Sequence, residues 1–323
     1  MGYVAGETIL DDEFNVFVAS SSDPFGYNHF AATGATVYGL GQAAIPVVAG
    51  GTTTITAAQW NSLLTGMINV ANHTNDSLTA RTAVTTGDTI AIKSAVAADL
   101  ATLAASVAGG STNATALATS SALQTATSGS EGWNSSATQE LTATWANANN
   151  MRFFFNAGGK IRITVGATAG AVNPKDQSYI DLGAALGNLD INSLTSTRSG
   201  SGETLTTNGL ANGFQDLNTG YTVLIKLTSD NSTYTGNHIV ISAKTTGGDG
   251  DSGNATSLTV KMVATDGAAD DQFTAGNTAG IAAAIKDTPK MVTKIFTITP
   301  TTAQGLDPVY GISGSAVTSN TVS

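Results

Sequence analysis

What most constrains the fold of this chain is a change in the spacing of its apolar residues. Up to about residue 108 they recur every three or four positions, and beyond about residue 136 they alternate. The first spacing runs a stripe along an α-helix; the second turns one face of a β-strand towards a core. Helices followed by strands, rather than the two interleaved, predict an α+β chain: an N-terminal amphipathic-helix module and then a C-terminal antiparallel β-sandwich. With 323 residues there is room for roughly two domains of about 100–200 residues each.

The helical module is expected over residues 1–108. A first helix spans 11–20, with Asp11 and Asp12 at its start, Phe14, Phe17 and Val18 on one face, and Asp23 and Pro24 as its stop. Residues 43–54 carry Val47, Val48, Gly50 and Gly51 and read as a short strand and turn. In the best-defined element, Thr56 and Gln59 stand at capping-box spacing. Trp60, Leu63, Leu64, Met67, Val70 and Ala71 then form one stripe in a helix from 57 to about 73. A further helical period over 89–107 runs through Ile92, Val96, Leu100, Leu103 and Val107 between alanines, whose small side chains allow close packing in a bundle or round a symmetry axis.

Residues 109–133 are rich in Gly, Ser, Thr and Ala without periodicity, so 109–136 reads as a linker or as an extended segment clamped by neighbours. The β-sandwich is expected over 137–300. Leu141, Ala143 and Trp145 share one face, and Ile161, Ile163 and Val165 repeat the spacing. Between them the aromatic run 151–156, followed by Ala157, Gly158 and Gly159, reads as one arm and the turn of a hairpin returning at Lys160. That reading puts Phe153 and Phe155 on one face and Phe154 on the other, so the strand is buried on both sides. A short helix over 176–186 and strands at 221–229, 237–245, 257–264 and 291–298 complete the domain. Residues 301–323, uncharged after Asp307, are expected as a polar tail that is mobile or becomes ordered on a neighbour.

Charged residues make up only 11% of the chain, against about 25% in ordinary soluble domains, while 41% are hydrophobic. That hydrophobic content argues against disorder and leaves a surface that is mostly neutral and polar. Hydroxyl and amide groups cost less to desolvate than charges, which suits large permanent interfaces between subunits. A net charge of −10, from 13 basic and 23 acidic residues, opposes nucleic acid and anionic lipid as partners. With no cysteine there is no disulfide, thiolate metal site or cysteine nucleophile. No stretch approaches the roughly 20 apolar residues of a membrane span, and residues 1–10 lack the pattern of a secretory signal, so the chain is expected to stay in a cytosol until assembly.

Two groups of residues resemble a known family. The first is Tyr38, Gly39, Leu40, Gly41 and Gln42, then Ile55, Thr56, Ala57, Ala58, Gln59, Trp60, Asn61, Ser62 and Leu63, with His73 near the helix end. The second is Met151, Arg152, Phe153, Phe154, Phe155 and Asn156, followed by Gly158 and Gly159. In order and approximate spacing they resemble virion structural proteins of tailed cyanobacterial phages and related phages, over about residues 10–165. The helix at 89–107 lies outside the pattern. The resemblance implies a particle component, in a tail fibre, baseplate, neck or head decoration, located in the virion after assembly in the host cytoplasm.

No catalytic, cofactor-binding or metal-binding residue stands out in the sequence, and no cofactor is expected. The three histidines, His29, His73 and His238, form no HExxH-type pair. His73 reads as a residue favourable to a helix C-terminus, through the helix dipole or as a cap to the last carbonyls, and His29, beside Tyr27 and Phe30, as a loop packing residue. No G-x-S-x-G elbow marks a nucleophilic serine, and Gly200, Ser201 and Gly202 lack the lysine of a phosphate cradle. Asp249 with Asp251, and Asp270 with Asp271, are the acid pairs a glycan-cleaving tailspike would need, but neighbouring acids in Gly-rich loops are usually solvated turn residues. The run from Asp249 to Asn254 weakly resembles a calcium loop without its downstream acid and reads as a plain turn. Trp60 reads as core, while Trp133 and Trp145 could anchor an interface or stack on sugars.

The function expected from these readings is that of a non-enzymatic structural virion component. Its partners would be copies of itself, with a trimer favoured, and other virion proteins. The helical module would dock or form the subunit contact, and the sandwich would project or fill space. The alternatives are a receptor-binding tail fibre or adhesin recognising a host surface glycan, and then a glycan depolymerase.

Overall fold

A computed structural model describes residues 11–22, 25–34, 38–50, 55–88, 93–113, 117–129, 131–169, 172, 174–194, 196–208, 217–231, 233–247, 254–268, 288–307 and 310–323. The chain is α+β and forms two compact units that are not contiguous in sequence. Unit 1 comprises Met1–Ala118, Asn149–Gly159 and Thr299–Gly311, and unit 2 comprises Thr119–Ala148, Lys160–Ile298 and Ile312–Ser323.

Unit 1 is helical. Its elements are α1 (Asp11–Ala19), α2 (Tyr27–Phe30), α3 (Ala57–Thr74), α4 (Lys93–Ala108) and, far along the chain, α5 (Ala148–Asn156). The expected stripes are the buried ones: Phe14, Phe17 and Val18 of α1, Trp60, Leu63, Leu64, Met67, Val70 and Ala71 of α3, and Val96, Leu100, Leu103 and Val107 of α4. Helix α3 starts with the expected capping box, Thr56 and Gln59 each accepting from the other's backbone N–H. It ends at Asn75 in the left-handed conformation, where a short polar side chain is tolerated. Gly66 lets α2 approach, since a Cβ there would lie 2.8 Å from the Tyr27 ring. Asp23 and Pro24, and the expected first residues of α4, Thr89 to Ile92, lie outside the described residues.

The segment expected as a strand and turn at 43–54 carries no strand among its described residues, 43–50. Side-chain amides hold it instead. Asn28 of α2 donates to Ile45 O at 2.8 Å and accepts from Ile45 N–H at 2.9 Å. Asn15 of α1 pairs both groups of Val48 in the same way, at 2.8 Å each. Asn61 of α3 does so for Val84, at 2.9 Å each. A carboxamide presents one donor and one acceptor side by side, so it can satisfy both backbone groups of one residue as a neighbouring strand would.

The aromatic run 151–156 is the helix α5, not a hairpin strand. Met151, Phe153 and Phe154 are buried and Phe155 only partly so, an uneven face that alternation would not produce. The glycines read as a hairpin turn end the helix: Gly158 lies at φ +84, and Gly159 N–H returns to Phe154 O at 2.8 Å.

Unit 2 contains two six-stranded sheets, apart from the strand ends Leu117–Ala118 and Thr299–Pro300, which fall in unit 1, and every pairing with a defined register is antiparallel. The first holds β1 (Leu117–Thr119), β2 (Gln124–Thr127), β4 (Lys160–Thr168), β5 (Leu189–Ile191), β6 (Thr197–Arg198) and β11 (Lys290–Pro300). The second runs β12 (Ile312–Val322), β3 (Ser136–Trp145), β10 (Ser257–Thr265), β9 (His238–Thr245), β8 (Thr222–Thr228) and β7 (Thr204–Asn208). The strands expected at 221–229, 237–245, 257–264 and 291–298 are β8, β9, β10 and β11, and the helix expected at 176–186 is α6 (Pro174–Leu186). Strand β3 alternates throughout, turning Ala137, Gln139, Leu141, Ala143 and Trp145 inward. Gln139 bridges the two sheets, accepting from Thr293 Oγ1 at 2.6 Å and donating to Met291 O at 3.0 Å.

Two stretches outside the bounds expected for the sandwich contribute strands. The linker stretch 109–136 contains β1 and β2, and the tail stretch 301–323 contains β12, which pairs with β3. Neither has an apolar alternation to announce it, because side chains that stay near water need no apolar face.

Candidate functional site

The two groups of residues singled out in the sequence, Tyr38 to Gln42 with Ile55 to Leu63 and Met151 to Gly159, meet in unit 1. The loop through Tyr38, Gly39, Leu40, Gly41 and Gln42 folds back on α2: Leu40 and Gln42 N–H both donate to Ala31 O, and Gly41 N–H to Ala32 O. Gly39 sits at φ +118, and a Cβ there would lie 2.4 Å from Thr33 O, so no other residue fits. The loop carbonyls face α5. The Arg152 guanidinium donates to Tyr38 O and, at 2.7 Å, to Thr33 O, and Asn156 donates to Gly39 O at 3.2 Å. Burial pulls the Arg152 guanidinium below its ordinary range. Gln42 clasps both backbone groups of Asp307, at 3.0 and 3.2 Å. The motif residues thus act on backbone and fix a loop.

Unit 2 holds a different cluster, beside the first turn of α6. Lys175 is fully buried, and its Nζ lies 2.6 Å from Asp266 Oδ2, a carboxylate with 2% of its side chain exposed. Asp266 follows β10 directly, and its N–H is held by Ser135 O at 2.9 Å. Tyr179 Oη donates to Thr265 O at 3.0 Å; burial and the Asp266 charge push this phenol above its usual range. Asn237 donates to Ser178 Oγ at 3.0 Å and accepts from Gly267 and Ala268 N–H, both at 3.2 Å. Asp176 is buried as well. A lysine in the first turn opposes the helix dipole, so Pro174, Lys175 and Asp176 carried one readable signal that Lys175 answers to an anion elsewhere.

His73 is fully buried, and burial brings its imidazole down to about 4 although the Gln304 amide acts the other way. It is therefore neutral near pH 7 and is not the cation that the helix-dipole reading expects. His29 packs as expected, stacking on Phe25 with ring centroids 4.2 Å apart, but it lies on α2 rather than in a loop. His238 Nδ1 lies 3.0 Å from Gly236 O. Trp60, Trp133 and Trp145 are all buried, and Trp133 Nε1 donates to Pro289 O at 2.9 Å, so none is a surface platform for sugars. Gly200 packs against the Ala184 and Ala185 carbonyls, where a Cβ would clash. Asp249, Asp251, Asp270 and Asp271 lie outside the described residues. Among the described residues no group of three His, Cys, Asp or Glu is placed to hold a metal ion, and no helix is long and apolar enough to cross a membrane.

The surface feature with the clearest consequence is β12. It is an edge strand of the second sheet, none of its eleven residues is buried, and none is charged. Extra residues Ser313 and Thr318 bulge it against β3 and leave a regular stretch from Gly314 to Val317 between them. Val317 is among the exposed large apolar residues of the chain. No family model, curated protein or solved structure matches the chain.

Proposed function

We propose that this protein is a non-enzymatic structural component of a tailed-phage particle, located in the virion, that assembles through contacts between its own copies and with neighbouring virion proteins. The observation that carries the reading is β12, an exposed edge strand eleven residues long without a charge. Edge strands are templates for pairing, and chains that stay monomeric usually guard them with lysine, proline, β-bulges or a covering element; β12 has neither lysine nor proline, and its two bulges leave Gly314 to Val317 regular. A surface with few charges extends the argument beyond one strand, because neutral groups are cheaper to bury between subunits. The residue resemblance supplies the particle.

The test is native mass by light scattering on the full chain, alone and with Ala316→Lys and Val317→Lys together. Expected are a trimer or larger ring for the unaltered chain and a monomer of unchanged circular dichroism for the double variant. A full chain that remains monomeric, or a double variant that assembles as before, overturns contact through β12.

A further inference from the structure

We propose that Lys175 and Asp266 become joined by an amide bond between Nζ and Cγ, an internal cross-link that ties α6 to the end of β10. Three observations converge on the pair. Nζ and Oδ2 are already 2.6 Å apart, the distance from which an amine needs only a small shift to reach the carboxyl carbon. Both side chains are withdrawn from water, at 0% and 2% exposed. Both are also held in place: Lys175 lies in the first turn of α6, whose Ser178 Oγ donates to Lys175 O at 2.7 Å, and Asp266 is pinned through its N–H to Ser135 O.

The chemistry follows from the burial. Removing an ammonium and a carboxylate from water is costly, and passing one proton from Nζ to the carboxylate leaves a neutral amine beside a neutral acid. The amine lone pair is then free to attack Cγ. The Nζ–Cγ bond forms, the Cγ–OH bond breaks, and the hydroxyl leaves with a proton from nitrogen as one water. Nothing is oxidised or reduced and no co-reactant is required. The product, a neutral amide, removes the charges from the interior. Helix α6 packs on β4 of the first sheet, while β10 lies inside the second, so the link fastens the two layers of the sandwich in a chain without cysteine. It is independent of the assembly reading above.

The experiment is mass spectrometry of the purified full chain. The expected intact mass is one water below that of the sequence, and digestion yields a branched peptide joining the Lys175 and Asp266 segments. In Lys175→Arg and Asp266→Ala the water is regained and the branched peptide is lost. A full sequence mass with separate linear peptides overturns the proposal. So does a water loss that persists in Lys175→Arg, which would place the dehydration elsewhere. Both readouts on the unaltered chain stand even if a variant folds poorly.

Discussion

In unit 1 side chains chiefly serve the backbone amides of irregular segments; in unit 2 the ladders satisfy most of the backbone, and several buried polar side chains also meet one another. Asn15, Asn28, Asn61 and Gln42 each clasp both backbone groups of one distant residue, and Arg152 covers two carbonyls. Against these stand Lys175 with Asp266, Gln139 with Thr293, and Arg162, which grips Asp190 with two bonds of 2.7 and 2.8 Å. The difference follows from what each fold leaves unpaired. A helical cluster must pin its connections one residue at a time, whereas a sandwich must pay for any polar side chain turned inward.

The comparison can be broken most severely in unit 2. Lys175→Met leaves Asp266 buried without its cation, and a loss of about 3–5 kcal/mol in urea unfolding is expected. Adding Asp266→Leu recovers most of this if the pair acts through charge alone. If the amide has formed, the double variant stays low by about 4–5 kcal/mol, the chain-entropy value for a closed loop of this length.

A second test uses pH and lies in unit 1. The folded state holds the His73 imidazole at about 4, below its ordinary 6.5, so the unfolded chain binds the extra proton first. The contribution of His73 is therefore complete above about pH 6.5 and falls as pH drops towards 4. About 2 kcal/mol should be lost between pH 7 and pH 5. His73→Leu should flatten that slope in urea titrations at the two pH values. An unchanged slope would assign the pH dependence to other groups.

The smallest effect is expected at a single clasp. Asn61→Ala leaves both groups of Val84 without their partner at a site that is only partly buried, so about 1–2 kcal/mol should be lost. Hydrogen exchange at the Val84 amide should rise with it. If the amide stays protected, the clasp is not what holds that segment.

Legibility in the sequence tracked how local the cause was. The Thr56–Gln59 capping box and the Trp60 to Ala71 stripe lie within a few turns of one another, and β8 to β11 carry their own alternation between turn residues. The run 151–156 misled because three successive phenylalanines suit a strand by propensity. Its helix is decided by neighbours: Arg152 and Asn156 find carbonyls more than a hundred residues away. Strand β12 was illegible for the opposite reason, since its neutral residues gain their order from the β3 ladder rather than from an apolar face.

By itself, then, the sequence determined the α+β class, the helical stripes of α1, α3 and α4, the inward faces of β3 and β4, and a surface poor in charge. These depend on periodicity and composition, which are properties of short windows. Only the tertiary structure decided that residues 149–159 and 299–311 join the N-terminal helices, that β12 completes a sheet, and that Lys175 meets Asp266 across 91 residues. Those pairings depend on where the chain returns in space, and no local spacing encodes the return.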